Sequence, residues 1–188
     1  MASSVAAMTA IAPLLLALQL ETPTTMNLEL RPVTLLNRSD LEQIDPGALE
    51  KTWVQPCWYW HQQSLDRPGI QFRLIHADIA DGAVGMIAFG PSYNDPAQTQ
   101  RVPGEYELKQ LVIDARYHRQ GLGRIAATAI LKGLAALPDC QWMVVTHHPD
   151  NATSRAFFRS LGFRPINRTA HNGNPMLAMS ADDISSLR

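Results

Sequence analysis

The sequence predicts a single α+β (mixed α/β) domain organised around one central sheet. Two observations carry that expectation. Stretches that alternate apolar and polar residues at period two are interleaved with two stretches whose apolar residues recur at helical spacing. The 188-residue chain is 46% apolar and 18% charged, enough for one well-buried core, and has no internal repeat or low-complexity tract.

The elements follow in order. Residues 11–20 are apolar, but the first basic residue is Arg31, so the positive start of a secretory signal is missing. The run is also too short to span a bilayer as a helix. Residues 1–25 therefore read as a poorly ordered N-terminal extension, and 26–188 as the domain. Residues 28–33 alternate at period two and predict a half-buried strand. Ser39-Asp40 offers a cap for a short amphipathic helix carrying Leu41, Ile44 and Leu49, interrupted near Pro46-Gly47. An aromatic cluster follows, with Trp53, Trp58, Tyr59 and Trp60. Residues 72–75 and 84–89 predict a hairpin around Asp81-Gly82. Residues 90–104, polar and with three prolines, read as a loop, and residues 106–113 as the strongest strand.

From Gly121 the period changes. Ile125, Ala126, Ala129, Ile130, Gly133, Leu134 and Leu137 form one helical stripe closed by Pro138. Residues 142–145 predict a strand buried on both faces. A second helix begins near Asp150-Asn151, turns Phe157, Phe158 and Leu161 inward, and stops at Gly162. Two strands near residues 163–168 and 175–179 close the chain.

Composition narrows the function. The net charge of −1 supplies no basic face for nucleic acid, and no membrane partner is expected. Cys57 and Cys140 have neither disulfide-framework nor metal-ligand spacing and read as reduced thiols of a cytoplasmic protein. His147 and His148 point to opposite faces of a strand and gain no third ligand nearby, so no metal is expected. No Gly-X-Ser-X-Gly signature marks a hydrolase.

The chemistry is concentrated in residues 111–124. A strand ends, a basic loop follows, and Gly121-Leu122-Gly123 opens a helix. Glycines let backbone approach a ligand, and the first amides of the helix lack internal partners. Together they make a pyrophosphate site, with Arg116, Arg119 and Arg124 adding positive charge. A dinucleotide fingerprint is excluded. Seven residues separate Ile113 from Gly121, and Asp139 precedes its strand instead of ending it.

With these residues in place, the chain resembles the GNAT superfamily of acyl-CoA-dependent N-acyltransferases. Three stretches carry the resemblance: residues 28–34 (LELRPVT), residues 107–113 (ELKQLVI) running to Gly123, and residues 151–163 (NATSRAFFRSLGF). The wording of residues 106–114 looks most like the diamine and polyamine branch. The resemblance implies one domain with a mostly antiparallel, twisted sheet of six to seven strands flanked by about four helices. It implies acetyl-CoA as cosubstrate. Leu111, Val112 and Ile113 would pair with the pantetheine arm. His118, Arg119, Gln120, Gly121, Leu122, Gly123 and Arg124 would hold the pyrophosphate. Asn151, Ser154, Phe157 and Phe158 would line the other side. His118 stands where the family usually has Gln or Arg, and Phe158 where it often has a proton-donating Tyr.

Transfer to an amine needs the amine neutral, hence a base. Glu107 is the first candidate and Glu105, on the same strand face, the second; a salt bridge to Lys109 is the structural alternative for Glu107. The Val112 amide is a candidate to polarise the thioester carbonyl. The aromatic cluster could roof an acceptor site or belong to the core, and Asp78, Asp81 and Asp95 could select a cationic acceptor. The expected activity is acetyl transfer to a primary amine of a small molecule by direct attack in a ternary complex. A non-catalytic acyl-CoA-binding module and transfer to a protein N-terminus or lysine stay open, as does a homodimer.

Overall fold

The period-two stretches of the first half become an antiparallel meander. In the computed structural model, which describes residues 27–186, β1 (Leu28–Arg31), β2 (Gln71–Ala77), β3 (Ala83–Tyr93) and β4 (Arg101–Ile113) pair in sequence order. The expected extension at residues 1–25 lies outside the described residues. Helix α1 (Asp40–Gln43) and helix α2 (Cys57–Asp66) separate β1 from β2. Helix α3 (Leu122–Ala135) then crosses over to β5 (Trp142–Thr146), which runs parallel to β4. Helix α4 (Ala152–Ser160), β6 (Arg164–Thr169) and β7 (Pro175–Ser180) complete a seven-stranded sheet of order β1-β2-β3-β4-β5-β7-β6. Among the described residues this is a mixed α/β domain of seven strands and four helices, in agreement with the six to seven strands and about four helices that the resemblance implies.

The sheet is covered on both faces. Helix α3 presents Leu122, Ala126, Ile130 and Leu134 to Leu30, Ile87, Phe89, Tyr106 and Leu108. Helices α1 and α2 cover Phe72, Leu74, Met86 and Val112 with Ile44 and Cys57. Double coverage explains why β3 is buried along nearly its whole length. Cys57 and Cys140 are free, and burial pushes both thiols up to about 11. Among the described residues no helix is long and apolar enough to cross a membrane.

Two expectations need correction. The loop read over residues 90–104 is confined to residues 94–100, because β3 and β4 both extend into it. Pro91 is accommodated where the register shifts between Pro91 and Tyr93, a bulge that removes the demand for a ladder N–H. The first helix is one turn shorter than its pattern suggests and leaves Leu49 exposed. Its expected cap, Ser39, makes no side-chain bond; Asp40 Oδ2 instead accepts the Ala83 N–H at 3.0 Å. The aromatic cluster, to which no element was assigned from the sequence, is largely helical as α2, against the modest helix propensity of its Trp, Tyr and His residues.

One irregularity of β4 positions the site. Ala88 pairs with Gln110 but Phe89 with Leu108, so Lys109 is the extra residue of a β-bulge. Tyr106 and Leu108 face α3 before the bulge; Leu111 and Ile113 face it afterwards, while Val112 turns to the α1–α2 side. Opposite this stretch, Gly85 admits no side chain. A Cβ there would lie 2.3 Å from the Val112 carbonyl oxygen and 3.1 Å from Ile113 Cα. Gly85→Ala is expected to cost about 1–3 kcal/mol and to lower the melting temperature, read by thermal unfolding; an unchanged melt would mean the two strands can separate at no cost.

Candidate active site

Strand β5 pairs with β4 only from Glu105 to Glu107. From Leu108 onward that edge of β4 is free of β5 and forms one wall of a cleft of about 1170 Å³. The direction of each backbone group on this edge follows from the ladder with β3. The Asp114 N–H donates to the Val84 carbonyl at 2.9 Å, and the Val112 carbonyl lies against Gly85. Since alternate residues of a strand point the same way, Val112 spends its backbone groups on β3. Leu111 and Ile113 therefore face the cleft. This corrects the choice of Val112 as carbonyl donor: the Leu111 and Ile113 amides are the ones turned to the cleft. The Ile113 carbonyl is taken by His118, whose Nε2–H donates to it at 2.8 Å.

That bond ties the start of the glycine loop to the end of β4. The chain then turns through two left-handed residues, Arg119 (φ 65°) and Gly121 (φ 82°), before entering α3. A Cβ at Gly121 would meet nothing within 4 Å, so glycine is needed there for its backbone angle and not for space. The first intrahelical bond of α3 runs from the Ile125 N–H to the Gly121 carbonyl. The amides of Leu122, Gly123 and Arg124 precede it and are uncommitted. A Cβ added at Gly123 would meet Ile113, Leu111 and Phe157 at 3.5–3.8 Å, ordinary contact, so the helix start sits beside the open edge of β4.

The positive charges divide. Arg116 does not serve the loop: it makes a two-pronged pair with Asp114 at 2.8 and 3.0 Å. Arg124 donates to the Ser160 carbonyl and hydroxyl, tying α3 to the end of α4. Arg119 and Gln120 are exposed and have no side-chain partner among the described residues.

The opposite wall comes from α4. Asn151 caps it, its Oδ1 accepting the Ser154 N–H at 2.9 Å, and Gly162 (φ 98°) ends it. Phe157 and Phe158 stack edge to face at 5.2 Å, and Phe158 continues onto Phe163. Asn151, Ser154, Phe157 and Phe158 all line the cleft, as do residues 118–124 and Leu111, Val112 and Ile113.

The two candidate bases part company. Glu107 lines the cleft, and Lys109 donates to its Oε2 at 2.8 Å. Glu105 is 5% exposed and lies outside the cleft lining, with both carboxylate oxygens 2.6 Å from Arg168 Nη2 on β6. Asp95 reaches the cleft but is occupied by the Thr99 and Gln100 amides and the Thr99 hydroxyl. Asp78 and Asp81 do not line it.

Several contacts in and beside the cleft could not be read from the sequence. Gln110 bridges Trp60 Nε1 (3.0 Å) and both backbone groups of Gln55, locking α2 to β4. Trp53 stacks on His148 at 4.3 Å, joining the turn at Glu50–Thr52 to the end of β5 across the cleft. Asp114, with a fully buried side chain, accepts the Asp45 and Arg116 amides as well as the Arg116 guanidinium. The Arg116 hydrogen bond, above all, holds its carboxyl down at about 2. The only sequence signal for it was an acidic residue directly after a strand.

This geometry suits acetyl-CoA. Uncommitted amides at the start of an α-helix fit a pyrophosphate, and an open strand edge fits the amides of a pantetheine arm. The comparisons with known proteins agree. Residues 38–163 match the acetyltransferase (GNAT) family. No curated protein matches the chain by sequence. Among solved structures, an acetyltransferase from Thermus thermophilus superposes with a TM-score of 0.57 at 19% identity, covering 87% of this chain and 99% of its own. The PaiA N-acetyltransferase from Thermoplasma acidophilum, in complex with coenzyme A, does so with a TM-score of 0.55 at 13% identity over 81% and 98%. A KacTA–DNA complex gives a TM-score of 0.60 at 18% identity over 86% and 97%. The chain belongs to the acetyltransferase (GNAT) family and is an acyl-CoA-dependent N-acetyltransferase with acetyl-CoA as its cosubstrate.

Proposed function

We propose that this protein transfers the acetyl group of acetyl-CoA to a primary amine of a small molecule, by direct attack in a ternary complex. The observation that carries the reading is the placement of Glu107. It is a cleft carboxylate with an 18% exposed side chain, a short way down β4 from the open edge at Leu111 and Ile113. The surrounding walls are aromatic, with Trp53, Tyr59, Trp60 and Tyr93. Such a surface holds the alkyl stem of an amine and attracts its cation.

Bound acetyl-CoA supplies a thioester, an acetyl group already activated toward amines. The chain's own residues do the rest. The Leu122, Gly123 and Arg124 amides and the Arg119 guanidinium hold the phosphates. The Leu111 and Ile113 backbone aligns the pantetheine arm, and the Leu111 N–H donates to the carbonyl oxygen where negative charge develops. Glu107 removes a proton from the acceptor ammonium, directly or through water. Phe158 has no proton to donate, so protonation of the departing thiolate falls to solvent or to another group.

A second reading has one observation behind it: one similar fold was solved with DNA, which leaves a macromolecular partner open. Thermal unfolding of the protein with acetyl-CoA, and with NADH as control, tests the cosubstrate assignment. At a hundred times its dissociation constant, a ligand raises stability by about 2.7 kcal/mol. A rise with acetyl-CoA alone is expected; a rise with NADH and none with acetyl-CoA would refute the loop assignment.

A further inference from the structure

Lys109 is a primary amine inside the site that this reading assigns to primary amines. It is the bulged residue of β4, and its side chain, 2% exposed, nonetheless lines the cleft. Its ammonium sits 2.8 Å from Glu107 Oε2 and 5.1 Å from the centroid of the Tyr93 ring. A carboxylate and an aromatic face are the two groups an acceptor ammonium would use there. A lysine ammonium carries three donors, yet among the described residues this one meets a single acceptor. The unmatched donors of a buried cation are costly. An acetylated lysine keeps one N–H, which matches the one acceptor present.

We propose that Lys109 is acetylated by the protein's own bound acetyl-CoA, in cis. The inference rests on the acetyl-transfer reading above and on the role it gives Glu107. Glu107 takes one proton from the Lys109 ammonium and passes it to solvent. The freed lone pair forms an N–C bond to the thioester carbonyl carbon and the C–S bond breaks. The second nitrogen proton leaves with the sulfur, so the products are an amide at Lys109, CoA thiol and one proton. Leu111, whose amide is turned to the cleft, is two residues along β4, about 7 Å by strand rise, within range of a swing of the four-carbon lysine stem. The modification removes the charge that pairs with Glu107 and leaves that carboxylate with one neutral N–H in place of the ammonium.

Burial makes the prediction selective. The chain has three lysines: Lys51 and Lys132 are exposed, whereas Lys109 is reached only from within the cleft. Solution acetylation favours the exposed pair; transfer in cis favours Lys109. The test is incubation with acetyl-CoA without any amine, followed by intact mass and peptide mapping, alongside thermal unfolding with acetyl-CoA. The expected result is one acetyl mass at Lys109 ahead of Lys51 and Lys132. Its rate per molecule should be independent of protein concentration and slowed ~10-fold or more in Glu107→Gln. Lys109→Arg, which keeps the charge and the pair with Glu107, should fold, bind acetyl-CoA and gain no acetyl in the cleft. If acetyl-CoA raises the melting temperature while Lys109 stays unmodified, or is modified at a rate that scales with protein concentration, the proposal is overturned and the acetyltransferase reading stands. If acetyl-CoA leaves the melt unchanged, both fall.

Discussion

Glu107→Gln is expected to lower kcat by ~10²–10⁴-fold, the usual contribution of a general base, with the KM for acetyl-CoA little changed. The separation follows from the layout of the cleft. Phosphate and pantetheine contacts belong to residues 118–124 and to Leu111 and Ile113, and Glu107 lies down the strand from them. Glutamine is nearly isosteric and still offers Lys109 an oxygen, so the bulge of β4 should survive and the variant should fold. Steady-state thiol release with acetyl-CoA and an amine acceptor provides the check. An unchanged kcat would remove Glu107 from the chemistry; a rise in KM for acetyl-CoA with kcat intact would make it a binding residue.

Asp114→Ala should be the most destabilising substitution near the site that touches no substrate. The buried carboxylate satisfies the Asp45 and Arg116 amides and pairs with Arg116, whose side chain is 63% exposed. Two orphaned amides, both only part-buried and so at about 1–2 kcal/mol each, with the solvent-screened ion pair discounted, give a loss of roughly 2–4 kcal/mol. For a chain of this size that lowers the melting temperature by roughly 5–15 °C. Because the folded-state value is depressed from 3.8 to about 2, the contribution is fully present above about pH 4. It is lost as the pH falls through about 2. Stability of the wild type should therefore drop across that window more steeply than that of Asp114→Asn, measured by denaturant unfolding at each pH. Parallel pH profiles would show that the carboxylate is not tuned by its partners.

What the sequence made legible was chemistry carried by backbone. A glycine pair at a strand-to-helix junction states its own purpose, because left-handed φ and uncommitted amides are properties of the main chain. The caps and ends of α4 at Asn151 and Gly162 were readable for the same reason. Side-chain pairings across the sheet were not. Nothing local says that Arg168 comes from β6 to hold Glu105, leaving Glu107 as the carboxylate in the cleft. The bulge at Lys109 was hidden as well, since one extra residue in β4 is visible only against its partner β3. That bulge moved the carbonyl donor from Val112 to its neighbours. Helix α2 was missed because its aromatic and histidine residues obscure the helical period, and with it the Trp60–Gln110 link.

The central claim is direct transfer from acetyl-CoA to a small amine held in the same cleft. Initial rates of CoA thiol release, with acetyl-CoA and a panel of mono-, di- and polyamines varied against each other, test it most directly. Direct attack in a ternary complex predicts reciprocal plots that intersect, with an acetylated amine formed one for one with thiol. Parallel plots, or no thiol release above the amine-free rate with any acceptor while acetyl-CoA still binds, would contradict it.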